Sequence, residues 1–176
     1  RRNPTQGSNA PYKGWGYDTS EGAMRMPCIM RWPDKITAGA VNDALCSTMD
    51  MLPTLAALAG GKPGPNKIDG HDIRSLLFDE AGTKSPWDDE GFFYYRMEQL
   101  QAVRAGDWKL YLPLEGKFAN LKRTTEPLKP ALYDVRHDLA EEHEVSAGHA
   151  DVVARLTALA EKARADLGDA GRPGAG

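Results

Sequence analysis

Past Gly91 the hydrophobic pattern alternates in short runs and then switches to a helical period, and that switch limits folding more than any other feature of the chain. Residues 92–96 (FFYYR) are aromatic and strand-prone, and residues 100–104 and 108–112 flank the turn Ala105-Gly106-Asp107. Two β-prone runs joined by three residues that include a glycine predict an antiparallel hairpin, because Gly accepts the positive φ such a loop needs. Residues 131–135 (ALYDV) supply a fourth run. Val152, Val153, Leu156, Leu159, Ala160, Ala163 and Leu167 then recur at three- and four-residue spacing, with Arg155, Glu161, Lys162, Arg164 and Asp166 elsewhere on the wheel. The expectation is a four-stranded antiparallel sheet packed by a terminal helix, followed by a Gly-rich tail over 168–176 that frays.

Before Gly91 the pattern belongs to a different layer. Residues 27–33 (PCIMRWP) form a short apolar run bracketed by prolines, which predicts a strand buried on both faces. Residues 47–61 carry start and stop signals for one helix: Ser47 or Asp50 as cap, Pro53 in the first turn and Gly60 as the left-handed stop. Met51, Leu52, Leu55, Leu58 and Ala59 share one face of it, and residues 72–78 predict a second, short helix. A single parallel-type strand cannot make a sheet, so this lobe needs neighbours. The division expected is an incomplete α/β layer over 1–90 and an antiparallel subdomain over 91–176. The opening Arg1-Arg2-Asn3-Pro4-Thr5, with no Met and no helix start, reads as a chain that has lost its beginning.

Composition closes off other classes. With 41% hydrophobic residues in 176 and a formal charge of -3, a real core is available and global disorder is excluded. No apolar run approaches the ~18 residues of a membrane span, and no basic block builds a nucleic-acid surface. Neither a membrane nor a nucleic acid is expected as partner. Cys28 and Cys46 could pair once, but they read as free buried thiols in the strand and the lead-in to the helix, without metal-ligand spacing.

Catalytic patterns are thin. His71, His137, His143 and His149 lie in polar contexts without a triad or H-E-x-x-H partner and read as exposed or capping residues. Asp138, Glu141, Glu142 and Glu144 read as a solvated acidic approach to a helix, and Lys117, Lys122, Arg123 and Lys129 as a solvated basic loop. The richest stretch is 9–27, where Lys13, Glu21 and Arg25 precede the apolar run, as an α/β site would be built. Glu21 and Arg25 read first as a structural pair.

Taken in order, several segments resemble the C-terminal portion of the type I sulfatases, the arylsulfatase family within the alkaline-phosphatase-like superfamily. They are residues 8–14 (SNAPYKG), 21–33 (EGAMRMPCIMRWP), 47–55 (STMDMLPTL), 68–70 (IDG), 101–110 (QAVRAGDWKL), and Leu132-Tyr133-Asp134-Val135 with Asp138 and Glu141. The resemblance covers nearly the whole chain and implies an α/β fold: part of an alkaline-phosphatase-like sheet layer, then a four-stranded antiparallel sheet with a terminal helix.

It also implies hydrolysis of sulfate monoesters, on small-molecule or carbohydrate substrates, by a formylglycine made from a C/S-x-P-x-R motif beside a Ca2+ ion held by Asp and Asn oxygens. Neither C/S-x-P-x-R nor the metal-ligating S-D-N-G segment occurs in this sequence. The family places a sulfate-binding Lys five residues before its Glu; Gly16 stands there, and Lys13 is the nearest cation. The resemblance therefore points to Lys13 as a sulfate-binding cation and Arg25 as a substrate contact, with no metal ligand in the chain. It implies a partner in the missing N-terminal portion of the same chain, a periplasmic or extracellular location, and a fragment inactive by itself. The alternatives are a fragment of a phosphate or phosphonate ester hydrolase, and a non-catalytic binding module.

Overall fold

The computed structural model describes residues 7–80, 82–114 and 129–176. They fall into two compact units, one built from the described parts of Arg1–Met26 and Gly91–Gly176, the other from Pro27–Glu90. A boundary near residue 90 was expected, but the segment before Pro27 groups with the antiparallel sheet. The reason is that Thr19, Ser20 and Glu21 are buried there.

The first unit contains a short helix α1 (Glu21–Met24), strands β1 (Phe92–Arg96), β2 (Gln99–Ala105), β3 (Trp108–Tyr111) and β4 (Ala131–Asp134), and the terminal helix α5 (Ala150–Asp166). The sheet is an antiparallel meander in the order β1-β2-β3-β4, as the sequence pattern predicts. Ala105 pairs with Trp108 across a turn in which Gly106 adopts φ 61°, the conformation for which glycine is needed. The pairing of β1 with β2 skips Gln101, a bulge between Tyr94 and Tyr95. That bulge shifts the side-chain alternation so that Leu100, Val103 and Ala105 share a face.

The two faces of the sheet are chemically distinct. Leu100, Val103, Ala105, Leu110 and Leu132 are buried with Leu156, Ala160 and Ala163 of α5 in one apolar core, with Phe93, Tyr95 and Trp108 packed against it. The other face carries Tyr94, Ala102, Arg104, Lys109, Tyr111 and Tyr133, which the register Tyr94↔Ala102, Arg104↔Lys109 and Lys109↔Tyr133 lines up across the strands. Both faces are covered, so every residue of β2 is buried.

The tail is ordered rather than frayed. Strands β5 (Gly168–Asp169) and β6 (Arg172–Pro173) form a small hairpin. Asp169 accepts the Leu100 N–H at 3.0 Å and the Arg164 Nε–H at 2.6 Å, and the Tyr95 hydroxyl donates to the Gly168 carbonyl at 2.7 Å. Leu167, expected in the apolar stripe, is instead half-exposed at the helix end.

In the second unit a 3-10 turn (Thr48–Asp50) leads into α2 (Met51–Leu58), with α3 (Arg74–Leu77) and α4 (Trp87–Glu90) further along. Ser47 and Asp50 form a reciprocal capping box, and Gly60 closes the helix at φ 75°. Asp50 is a buried hub that accepts N–H groups from Ser47 (2.6 Å), His71 (2.8 Å) and the Trp87 indole (2.9 Å). The strand expected over 27–33 does not form. Ile29 is 94% exposed there and both cysteines are free and exposed, which corrects the reading of buried thiols. A strand needs a paired neighbour, and among the described residues this unit has none. The apolar face of α2 is likewise uncovered, with Leu52 and Leu55 exposed.

Candidate functional site

The polar face of the sheet receives a clamped loop. The Asn9 side-chain amide donates to the carbonyls of Gly14 (3.0 Å) and Gly22 (2.7 Å), and the Gly22 N–H donates to the Lys13 carbonyl (2.8 Å). A Cβ on Gly22 would sit 2.5 Å from that carbonyl, so the closure tolerates only glycine. Asp18 accepts the Ser20 N–H and hydroxyl. The loop so closed delivers Glu21, the first residue of α1, onto the face that carries Arg104 and Lys109.

Glu21 is fully buried and meets three cations. Its Oε1 lies 2.9 Å from Lys109 Nζ, and its Oε2 lies 3.0 Å from Arg104 Nη1 and 2.5 Å from Arg25 Nε. The Tyr94 hydroxyl donates to Oε1 at 3.1 Å. Burial alone would raise the Glu21 carboxyl, but the Lys109 and Arg104 charges outweigh it and hold the group at about 2. Lys109 is itself fully buried, donates to the Thr19 carbonyl at 2.7 Å, and lies over the faces of Tyr94 (4.4 Å) and Tyr111 (4.9 Å).

A second buried carboxylate completes the network. Glu141 stands 3.2 Å from Lys109 Nζ, accepts the Tyr111 hydroxyl at 2.5 Å and accepts the Glu21 backbone N–H at 3.0 Å. Burial and the neighbouring carboxylates push both phenols, Tyr94 and Tyr111, well above the usual range. A carboxylate held ionised by two buried cations is a poor general base, so this network orients and polarises rather than shuttling protons. It sets three cations against two carboxylates, a local excess of positive charge.

Lys13 and Arg25 occupy different positions around it. Arg25 is half-buried: Nε is engaged with Glu21, the guanidinium lies 4.8 Å over the Tyr12 ring, and Nη2 donates to the Val135 carbonyl at 3.4 Å. Lys13 is exposed, donates from Nζ to the Glu141 carbonyl at 3.1 Å, and lines an open cleft of about 480 Å3 with Tyr12, Tyr133 and Glu142. The Glu21–Arg25 pair was legible at i,i+4 spacing. Arg104, Lys109, Tyr94, Tyr111 and Glu141 were missed, and Glu141 was read as solvated although it is 1% exposed. The one local signal was a lysine inside the strand pattern WKLY, opposite an arginine across the hairpin.

The other candidates stay apart from this network. Asp138 accepts backbone N–H groups from Glu142 and His143, and Glu144 those from Leu132 and Ser146, so both act as turn caps. His137 and His143 are exposed, as expected. His149 precedes α5 and packs on Trp108 at 4.6 Å, with no capping bond from its side chain. His71 is not exposed but packs edge-on to Trp87 at 4.5 Å in the second unit. Of the basic loop, Lys129 is exposed, and Lys117, Lys122 and Arg123 lie outside the described residues.

The described residues do not fit a resident calcium ion, and the sequence does not fit a formylglycine site. The described residues contain no group of three His, Cys, Asp or Glu side chains able to hold a metal, and neither free cysteine lies in a C/S-x-P-x-R motif.

Comparison with known proteins accords with this architecture. The family model for the C-terminal region of N-sulphoglucosamine sulphohydrolase matches residues 13–166. Steryl-sulfatase from Mus musculus is 38% identical over 110 residues, covering 60% of this chain and 17% of that protein. N-acetylgalactosamine-6-sulfatase from Mus musculus is 40% identical over 107 residues, covering 60% and 20%. The chain thus spans about a fifth of the length of these curated relatives. Ps i-CgsB, solved in complex with k-i-k-neocarrahexaose, superposes with a TM-score of 0.70 at 26% identity, covering 88% of this chain and 32% of that one. The matched span takes in the loop from Lys13 on, the meander and all of α5, and on that ground the chain belongs to the N-sulphoglucosamine sulphohydrolase C-terminal family of the sulfatases.

Proposed function

We propose that this chain serves as the C-terminal part of a sulfatase that hydrolyses sulfate monoesters, and that it is inactive alone. The observation that carries this reading is the family match over 13–166 combined with a clamped loop that holds Lys13 beside a network with excess positive charge. In this reading Lys13 is the cation that contacts the sulfate. Its ammonium has three donors, and the Glu141 carbonyl takes one, leaving two for sulfate oxygens. Arg25, whose Nε is held by Glu21, is in this reading the further substrate contact.

The formylglycine and calcium that such chemistry uses come, in this reading, from residues outside this sequence. The substrate is a small-molecule or carbohydrate sulfate ester, as the names of the steryl- and N-acetylgalactosamine-6-sulfatases suggest. A periplasmic or extracellular location goes with the family. No helix among the described residues is long and apolar enough to cross a membrane. The direct test is turnover of an aryl sulfate by the 176-residue chain with calcium: none is expected, and robust hydrolysis refutes the reading.

A further inference from the structure

We infer that Glu141 is a positioning residue for Lys13, gripping the sulfate-contacting loop at two points. This rests on the reading of Lys13 as the sulfate-binding cation. The carboxylate of Glu141 takes the backbone N–H of Glu21 at the far end of the loop, while its carbonyl takes the Lys13 ammonium at the near end. A single residue in the turns that follow β4 therefore holds both ends of a loop that lies 120 and 128 residues away in sequence.

Three further observations separate this from a merely satisfied buried acid. Glu141 adopts φ 51°, a left-handed conformation that is unfavourable for a non-glycine residue and persists only where the surroundings over-determine it. The turn that imposes it is pinned, with the Glu141 N–H on the Asp138 carbonyl and the Asp138 carboxylate accepting from Glu142 and His143. Lys109 accounts for the Glu141 carboxylate, but not for its carbonyl, which is turned to the Lys13 ammonium. What the carboxylate's grip on the Glu21 N–H adds is the placing of the Glu141 backbone carbonyl, which anchors Lys13; the Lys13 Nζ makes no other hydrogen bond among the described residues and sits 5.6 Å from the Tyr133 ring centroid at the cleft wall. An ammonium held in that way presents its remaining donors in a fixed direction, which lowers the entropic cost of ordering a long side chain around an anion.

The test is a titration of the whole chain with sodium sulfate, read from amide chemical shifts of Lys13 and Gly14, with urea unfolding run alongside. Glu141→Ala should weaken sulfate binding by about tenfold while the protein remains folded. Glu141→Gln keeps an acceptor for the Glu21 N–H, with its NH2 turned to donate to the Tyr111 oxygen, and should restore binding to within about threefold of wild type. In a Lys13→Ala background, Glu141→Ala should add no further loss, the non-additivity expected of coupled residues. Tyr111→Phe, which removes one donor from the Glu141 carboxylate, should cost about threefold and serves if Glu141→Ala does not fold. A folded Glu141→Ala protein, or Tyr111→Phe, with wild-type sulfate affinity overturns the inference and leaves the Lys13 reading intact. Wild-type shifts that Lys13→Ala does not alter overturn the Lys13 reading and this inference together.

Discussion

Replacing Glu21 by Gln removes the carboxylate on which Lys109, Arg104 and Arg25 converge while preserving its shape. The magnitude follows from linkage. The Glu21 carboxyl falls from 4.5 when unfolded to about 2 when folded, and at about 1.4 kcal/mol per unit this contributes roughly 3 kcal/mol at neutral pH. Because the folded value is depressed, the contribution is complete above pH ~4.5 and is lost as the pH falls through about 2. The same relation leaves only about 1.4 kcal/mol of it at pH ~3. Urea unfolding of wild type and Glu21→Gln should therefore differ by roughly 3 kcal/mol at pH ~7 and by about half that at pH ~3. Against a typical total of about 5–15 kcal/mol, the neutral-pH loss is easily measured. A difference under about 1 kcal/mol at pH ~7, or one that does not shrink on acidification, would show that the buried network does not stabilise Glu21 as its geometry requires.

The remaining stability predictions concern the terminal helix and the tail. Leu156→Ala should cost about 2–5 kcal/mol in the same unfolding assay, because Leu156 is fully buried at the centre of the core between α5 and the sheet. Asp169→Ala should leave the Leu100 N–H and Arg164 without their shared acceptor, costing about 1–2 kcal/mol and accelerating hydrogen exchange at Leu100; unchanged exchange would indicate that the β5–β6 hairpin contributes nothing.

What the sequence allowed one to read, and what it hid, divides by how local the determinants are. The meander, its Gly106 turn, the helix over Ala150–Asp166 and a helix cap at Ser47 or Asp50 all follow from patterns within a few residues, and each is present, the two caps combined in one capping box. The run over 27–33 has strand composition, but a strand is made by its neighbour, and the described residues of its own unit, Pro27–Glu90, contain none. The tail was misjudged because glycine content hides the effect of one side chain, Asp169, which ties it to β2 and α5.

The candidate site shows the same division. Glu21 and Arg25 are four residues apart and could be paired by inspection. Arg104 and Lys109 reach Glu21 from 83 and 88 residues away, and Glu141 reaches it from 120. Only the sheet register puts these groups on one face. Glu141 was concealed further by its neighbours, since Asp138, Glu142 and Glu144 cap turns or face solvent while Glu141 alone of the four points inward.

The most direct test of the proposed function is turnover of an aryl sulfate with calcium present, comparing the 176-residue chain with a longer sulfatase polypeptide that includes it. No hydrolysis by the chain alone is expected, and hydrolysis by the longer polypeptide that Lys13→Ala reduces. Robust turnover by the chain alone, or full activity in the Lys13→Ala polypeptide, would contradict it.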